Sequence, residues 1–197
     1  MCGRFFVNQH SIRTAALEAF SLTLNKTRNG DIHPGQKVTV ITAVTQEGVN
    51  SPIQLDTIWG IKPAWAKQTI INAKAETVAE KPTFQLAYQT NRCLIPISGW
   101  YEWKPCTDNN RQTIHYALQS RDSKPLWMAG IYYRHAPTPQ LVTLTTLPTK
   151  QCAHIHERMP LLLEEDQLLK WLSTPSEISR HPASCYRNID LEIIEIR

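Results

Sequence analysis

The spacing of apolar positions divides this chain into a helical start, a long β-prone middle and a second helix. Ile12, Ala15, Ala16, Ala19 and Phe20 recur at helical spacing behind Ser11, which predicts a helix over 12–20 with Ser11 as its cap. Asn29-Gly30 and Pro34-Gly35 then mark turns. From Lys37 onward the pattern breaks into short runs rich in β-branched and aromatic residues, predicting strands over 38–42, 53–59, 93–97, 100–103, 114–118, 126–132 and 141–145. A second helix is predicted from Glu164. There Glu164, Glu165 and Asp166 suit an N-terminal dipole, and Leu168, Leu169, Trp171 and Leu172 supply an apolar face.

Strands that outnumber helices without βαβ alternation point to an α+β fold. We expect a single domain over 1–197 with a mainly antiparallel, barrel-like sheet and a few flanking helices. Prolines outnumber glycines, 13 to 7, and punctuate the strands instead of gathering in a linker. A chain of 197 residues with 42% hydrophobic and 19% charged residues can bury a real core, which excludes wholesale disorder. No apolar run reaches membrane-spanning length and the start lacks a signal-peptide core, so a cytoplasmic protein is expected, with no membrane partner. A formal net charge of +4 is compatible with a nucleic-acid partner without requiring one. The five cysteines, Cys2, Cys93, Cys106, Cys152 and Cys185, are odd in number and scattered, with no C-x-x-C pair. That argues against a disulfide framework. It also leaves Cys152, His154 and His156 as the only zinc grouping to weigh, one without an evident fourth ligand, so neither metal nor cofactor is expected.

Cys2 changes the picture. Removal of Met1 places an amine and a thiol on adjacent carbons of one residue. Their reference pKa values, about 7.8 and about 8.5, leave both reactive forms accessible near neutrality. The amine condenses with an aldehyde to an imine, and the thiol closes on the imine carbon to give a five-membered thiazolidine. An internal cysteine cannot do this, because its nitrogen is held in a peptide bond. Read alone, Cys2 is more simply a small buried residue. Gly3 allows close approach to the terminal backbone, and Arg4 sets a permanent cation beside it.

Three segments carry the proton donors and acceptors such chemistry needs. Asn72 follows an apolar run and precedes Lys74 and Glu76. Glu102 lies among Trp100, Tyr101 and Trp103, a setting that desolvates a carboxylate and raises its pKa. His156 lies two residues before Arg158. Each has a structural alternative: Asn72 as a turn cap, Glu102 on a solvent face, His156 as a satisfied core residue.

Taken together, these segments resemble a family. M-C-G-R-F at the start, W-G-x-x-P-x-W at 59–65, N-A-[RK]-x-E-T at 72–77, G-[WF]-[YF]-E-W at 99–103 and I-H-x-R-M-P at 155–160 occur in the order seen in SRAP (SOS-response-associated peptidase) proteins. Arg92-Cys93-Leu94-Ile95-Pro96 and Trp127-Met128-Ala129-Gly130-Ile131 add support, and the likeness runs from residue 2 to about 172. The resemblance implies a sensor and shield of abasic sites in single-stranded DNA. Cys2 would form a thiazolidine crosslink with the ring-opened deoxyribose. Asn72 would orient the terminal residue and the sugar, Glu102 would handle protons at the amine and imine, and His156 would assist ring opening or crosslink reversal. It also implies an autopeptidase that exposes Cys2, and a protein that joins the nucleoid during repair.

Single-strand binding combines cations along phosphates with flat side chains under bases. Arg4, Lys74 and Arg158 lie within or beside the motifs, and Trp65 is the stacking or wedge candidate. Trp59, Trp100 and Trp103 are expected in the core, since strand tryptophans usually are. The partner expected is therefore single-stranded DNA bearing abasic sites, bound by a monomer. The chain departs from the usual pattern at Asp31, where an acid replaces an amide, at Lys74, where arginine's forked geometry is lost, and at Ala66, where one ring of an aromatic doublet is missing. After His181 the tail resembles a shortened form of the family's, with Tyr186, Arg187 and Asn188 only weakly matching its C-terminal strand. The competing function is a thiol hydrolase or peptidase of the N-terminal-nucleophile type, in which Cys2 attacks an amide with its own amine as base. A binding module without chemistry would hold intact DNA regardless of Cys2.

Overall fold

The computed structural model describes residues 2–46, 49–105, 113–173 and 189–196; Met1, Cys106, Cys185, Tyr186, Arg187 and Asn188 lie outside them. The chain opens with β1 (Phe5–Val7), α1 (Gln9–Phe20) and β2 (Gly30–Ile32). Then come β3 (Lys37–Gln46), β4 (Val49–Trp59), β5 (Asn72–Lys74) and α2 (Pro82–Thr90). The central strands are β6 (Arg92–Ile97), β7 (Gly99–Pro105), β8 (Thr113–Ser120), β9 (Leu126–Tyr133) and β10 (Gln140–Thr146). Short strands β11 (Met159–Pro160) and β12 (Leu162–Leu163) precede α3 (Leu168–Ser173), and β13 (Leu191–Ile196) ends the described chain.

These strands form two sheets, one ordered β13-β8-β7-β1-β2 and the other β11-β10-β4-β3-β6-β9-β12 with β5 added on β10. The ladders are antiparallel except where β10 runs parallel to β4 and β5. The architecture is α+β and barrel-like, with β9 pairing β10 as well as β6 and β12. Alternation explains its layers. Cys93, Ile95 and Ile97 of β6 and Leu126, Met128 and Tyr132 of β9 pack with Phe5, Trp100 and Leu118 of the smaller sheet. The intervening Leu94, Trp127, Ala129 and Ile131 face the other way, onto Phe84, Ala87 and Tyr88 of α2 and Leu168 and Trp171 of α3. The large sheet is thus covered on both faces, and β6 and β9 read as nearly continuous apolar runs for that reason.

Several local expectations shift. Asn8, not Ser11, caps α1, its side chain accepting from the His10 and Ser11 N–H groups at 3.0 and 3.3 Å, so the helix starts earlier than its apolar spacing implies. The helix expected at Glu164 begins as a single 3-10 turn over Glu165–Gln167, with Glu164 and Gln167 capping reciprocally. Of its expected apolar face, Leu168 and Trp171 are buried but Leu169 is 55% exposed.

Gly99 locks the seam between β1 and β7. A Cβ there would strike the Leu118 carbonyl oxygen and the edge of the Phe6 ring. Gly99→Ala is expected to destabilise the fold by about 1–3 kcal/mol, read as a lowered urea midpoint with an unchanged m-value.

Candidate functional site

Cys2 is fully buried where the two sheets meet, in the same cluster as Phe5, Trp59 and Trp100. Its carbonyl oxygen accepts a 2.8 Å hydrogen bond from Asn72 Nδ2. The Asn72 amide is held from its other end, where Oδ1 meets the Thr143 hydroxyl. That contact follows from the parallel pairing of β5 with β10, which sets Asn72 opposite Thr143. Trp59 Nε1 donates to the Ile71 carbonyl at 3.1 Å and fixes the approach to β5. Asn72 is therefore oriented by strand register, and it orients Cys2 in turn. Burial, with a smaller contribution from Glu102, pushes the Cys2 thiol well above the usual thiol range. The protonated thiol is the resting form.

Glu102 is only 3% exposed and points inward with Trp100, while Tyr101 and Trp103 alternate to the outer face of β7. Burial raises its carboxyl to about 7. Its charge reaches the thiols of both Cys2 and Cys152. Cys152 in turn belongs to the loop that carries His156, whose N–H donates to the Cys152 carbonyl at 3.3 Å. The His156 ring is anchored through Nδ1, which lies 3.0 Å from Arg158 N and 3.1 Å from Arg158 O, so either tautomer finds a backbone partner there. Burial holds His156 below its ordinary value, favouring the neutral ring. The site thus assembles a buried thiol, an amide donor, a carboxyl able to hold or release a proton near neutrality, and a neutral imidazole. Among the described residues no group of three or more His, Cys, Asp and Glu is arranged to hold a metal ion, and no helix is long and apolar enough to cross a membrane.

The cations sit differently from one another. Arg158 is 7% exposed; its guanidinium donates to both Glu76 oxygens at 3.1 and 2.7 Å and to the Thr145 carbonyl at 2.6 Å. It ties the His156 loop to β10 and to the turn after β5. Against desolvation that works the other way, the Arg158 fork holds the Glu76 carboxyl below its usual range. Arg4 pairs with Asp31 and lies over the Tyr101 ring, 4.8 Å from its centroid. Lys74 is exposed at the end of β5. Trp65 is 68% exposed beside a groove of about 450 Å³ that is also lined by Lys62, Leu86, Tyr133, Arg134 and His135.

Trp59 and Trp100 are fully buried, as strand tryptophans were expected to be. Trp103 is not: it is half-buried on the outer face of β7, in a tilted row with Tyr101 and His115 at 6.5 and 5.8 Å between ring centroids. The signal was present in the alternation of β7, because a strand that turns Trp100 and Glu102 inward must turn Tyr101 and Trp103 outward.

A sheet-rich α+β fold with a buried Cys2 held by an asparagine and flanked by a carboxyl defines the class of protein. The chain belongs to the SRAP family: the model of the SOS response associated peptidase matches residues 1–197. It is 31% identical over 186 residues to the abasic site processing protein YoqW of Bacillus subtilis, covering 88% of this chain and 80% of that one. It is 28% identical to the abasic site processing protein YedK of Escherichia coli, over 93% and 84% of the two chains. Among solved structures, a phage-related protein of Bordetella bronchiseptica superposes with a TM-score of 0.79 at 20% identity, covering 100% of this chain and 94% of that one.

Proposed function

We propose that this protein processes abasic sites in single-stranded DNA by forming a thiazolidine between Cys2, freed of Met1, and the ring-opened deoxyribose. The observation that carries the reading is the Asn72 amide on the Cys2 carbonyl, beside a carboxyl whose pKa burial has brought to about 7. Freed of Met1, the Cys2 amine attacks the aldehyde carbon. Glu102 as carboxylate takes a proton from the nitrogen, and as acid it gives one to the departing hydroxyl, so that water leaves and the imine remains. The thiol adds to the imine carbon, and its proton passes to the ring nitrogen. Aldehyde and aminothiol thereby become thiazolidine plus one water. A buried, protonated thiol suits this order, since it waits until the imine has formed beside it. His156, neutral and fixed through Nδ1, is placed to assist opening of the sugar ring and reversal of the link. Removal of Met1 by the protein itself agrees with the family's description as a peptidase.

The outer face of β7 supports the choice of partner. Tyr101 and Trp103 offer flat surfaces, with Arg4 beside them and Lys74 and Trp65 exposed elsewhere. Arg158, buried against Glu76, acts by positioning the His156 loop.

The deciding experiment incubates Met1-free protein with single-stranded DNA carrying one abasic site, followed by a denaturing gel and intact mass. The expected product has the summed mass of protein and DNA less one water. Absence of the adduct, with turnover of an amide substrate instead, would favour the N-terminal-nucleophile hydrolase.

A further inference from the structure

Two residues after the nucleophile, Arg4 is already engaged by an acid of its own chain. β1 pairs with β2 so that Phe6 faces Asp31, and with β7 so that the Tyr101 N–H donates to the Arg4 carbonyl at 3.0 Å. This register puts Arg4, Asp31 and Tyr101 together on the outer face. The Arg4 guanidinium meets the Asp31 carboxylate and lies over the Tyr101 ring, while the Tyr101 hydroxyl donates to the other Asp31 oxygen at 2.9 Å. Asp31 engages a terminal nitrogen of the guanidinium, Nη2, whereas Arg4 Nε is buried without a partner.

We propose that Asp31 competes with DNA phosphate for Arg4, and so sets how tightly and how salt-dependently this protein holds single-stranded DNA. The inference rests on the reading of the site as a single-strand DNA site. A carboxylate and a phosphate present the same chemistry to a guanidinium, and they cannot share its donors at full strength. The Arg4 and Asp31 side chains are 35% and 33% exposed, which places the pair within reach of a strand without unfolding of β1. At that exposure the ion pair is weak enough to be exchanged. Against desolvation that works the other way, the Arg4 and Tyr101 hydrogen bonds hold Asp31 below the usual carboxylate range, so neutral pH does not relieve the competition. The other motif arginine is no substitute, because Arg158 is buried against Glu76. Asp31 is thus an affinity-setting residue that lowers occupancy of undamaged single strands, leaving retention to the covalent step.

The test measures anisotropy of a lesion-free single-stranded oligonucleotide between about 0.05 and 0.2 M salt. Asp31→Asn keeps the size and a hydrogen-bond acceptor but removes the charge. It should tighten binding about fivefold at the lower salt and steepen the slope of log Kd against log salt by about 0.7, the value for one further phosphate contact on a single strand. Asp31→Glu should bind as the wild type does. Asp122→Asn, the same charge change at an exposed turn with its own lysine, should leave both readings unmoved. Unchanged or weaker binding by Asp31→Asn overturns the proposal, as does equal tightening by Asp122→Asn. The abasic-site adduct of the wild type is scored separately. If it forms while Asp31→Asn fails to tighten, the role of Asp31 alone falls; if neither protein binds intact DNA and no adduct forms, both readings fall.

Discussion

Cys2→Ser is expected to reduce the denaturant-stable adduct on abasic single-stranded DNA by about 100-fold or more, with the fold intact. Serine differs from cysteine by one atom and keeps nearly its volume in the buried site, although its oxygen is too far to replace the 3.8 Å Sγ contact to the Arg4 carbonyl. What it loses is the second step. The amine still condenses with the aldehyde, but the oxygen ring closes poorly and reopens, leaving an imine that water hydrolyses. Borohydride should therefore trap the serine variant on DNA, by reducing the imine, while omission of borohydride should leave almost no band. That contrast separates the amine from the thiol, which a simple loss of activity cannot do. A serine variant with a wild-type, heat-stable adduct in the absence of reductant would sink the thiazolidine reading. Thermal unfolding of the same preparations checks that the change is chemical.

The candidate site was legible in sequence because its residues sit in short, ordered motifs whose chemistry is local to each. Cys2, Asn72 and Glu102 could be named that way, and the fold brings Asn72 onto the Cys2 carbonyl and the charge of Glu102 onto its thiol. Long strands were legible for a related reason: β6 and β9 carry apolar residues on both faces, so their hydrophobic runs are strong. Pairings that depend on distant partners were not legible. β5 has three residues and no periodicity of its own; it is a strand because β10, seventy positions away in sequence, lies parallel to it. α2 begins with Pro82 at its first turn, and in a chain with 13 prolines that residue reads as punctuation. The charges were harder still. Arg158 looked like a phosphate contact from its neighbours, yet its guanidinium belongs to Glu76, 82 residues earlier. Asp31 stands in the sequence only as an acid in place of an amide, and its contact with Arg4 is given by the fold. A charge's neighbours in sequence do not reveal its partner in space, and that partner decides whether the charge is available.

Glu102→Gln is expected to slow adduct formation by about 10²-fold and to remove the pH inflection that a carboxyl near 7 imposes. In the proposed mechanism both of its protonation states are used. The carboxylate accepts the proton that the amine sheds on attacking the aldehyde, and the acid supplies the proton that lets hydroxide leave as water. With burial raising the group from 4.5 to about 7, both forms are well populated at neutral pH, and movement to either side depletes one of them. Glutamine keeps the shape and can do neither. The same shift governs stability. A carboxyl whose folded pKa is raised binds more protons in the folded state than in the unfolded one, so its contribution is fully present at low pH. That contribution is lost as pH rises through the window from about 4.5 to about 7. The wild type should therefore lose melting temperature between pH 5 and 8 relative to Glu102→Gln, whose buried amide does not titrate (the amide avoids the cost of burying a charge). Crosslinking rate and melting temperature, measured on both proteins across that range, tie the two effects to one group. A glutamine variant with an unaltered pH–rate profile would remove Glu102 from the proton transfers, whatever happened to its stability. A variant that lost the inflection in rate and the slope in melting temperature together would identify one buried carboxyl as the source of both. Burial of that carboxyl costs the fold stability above neutral pH, and it is the same burial that suits the group to serve the amine and the imine in turn.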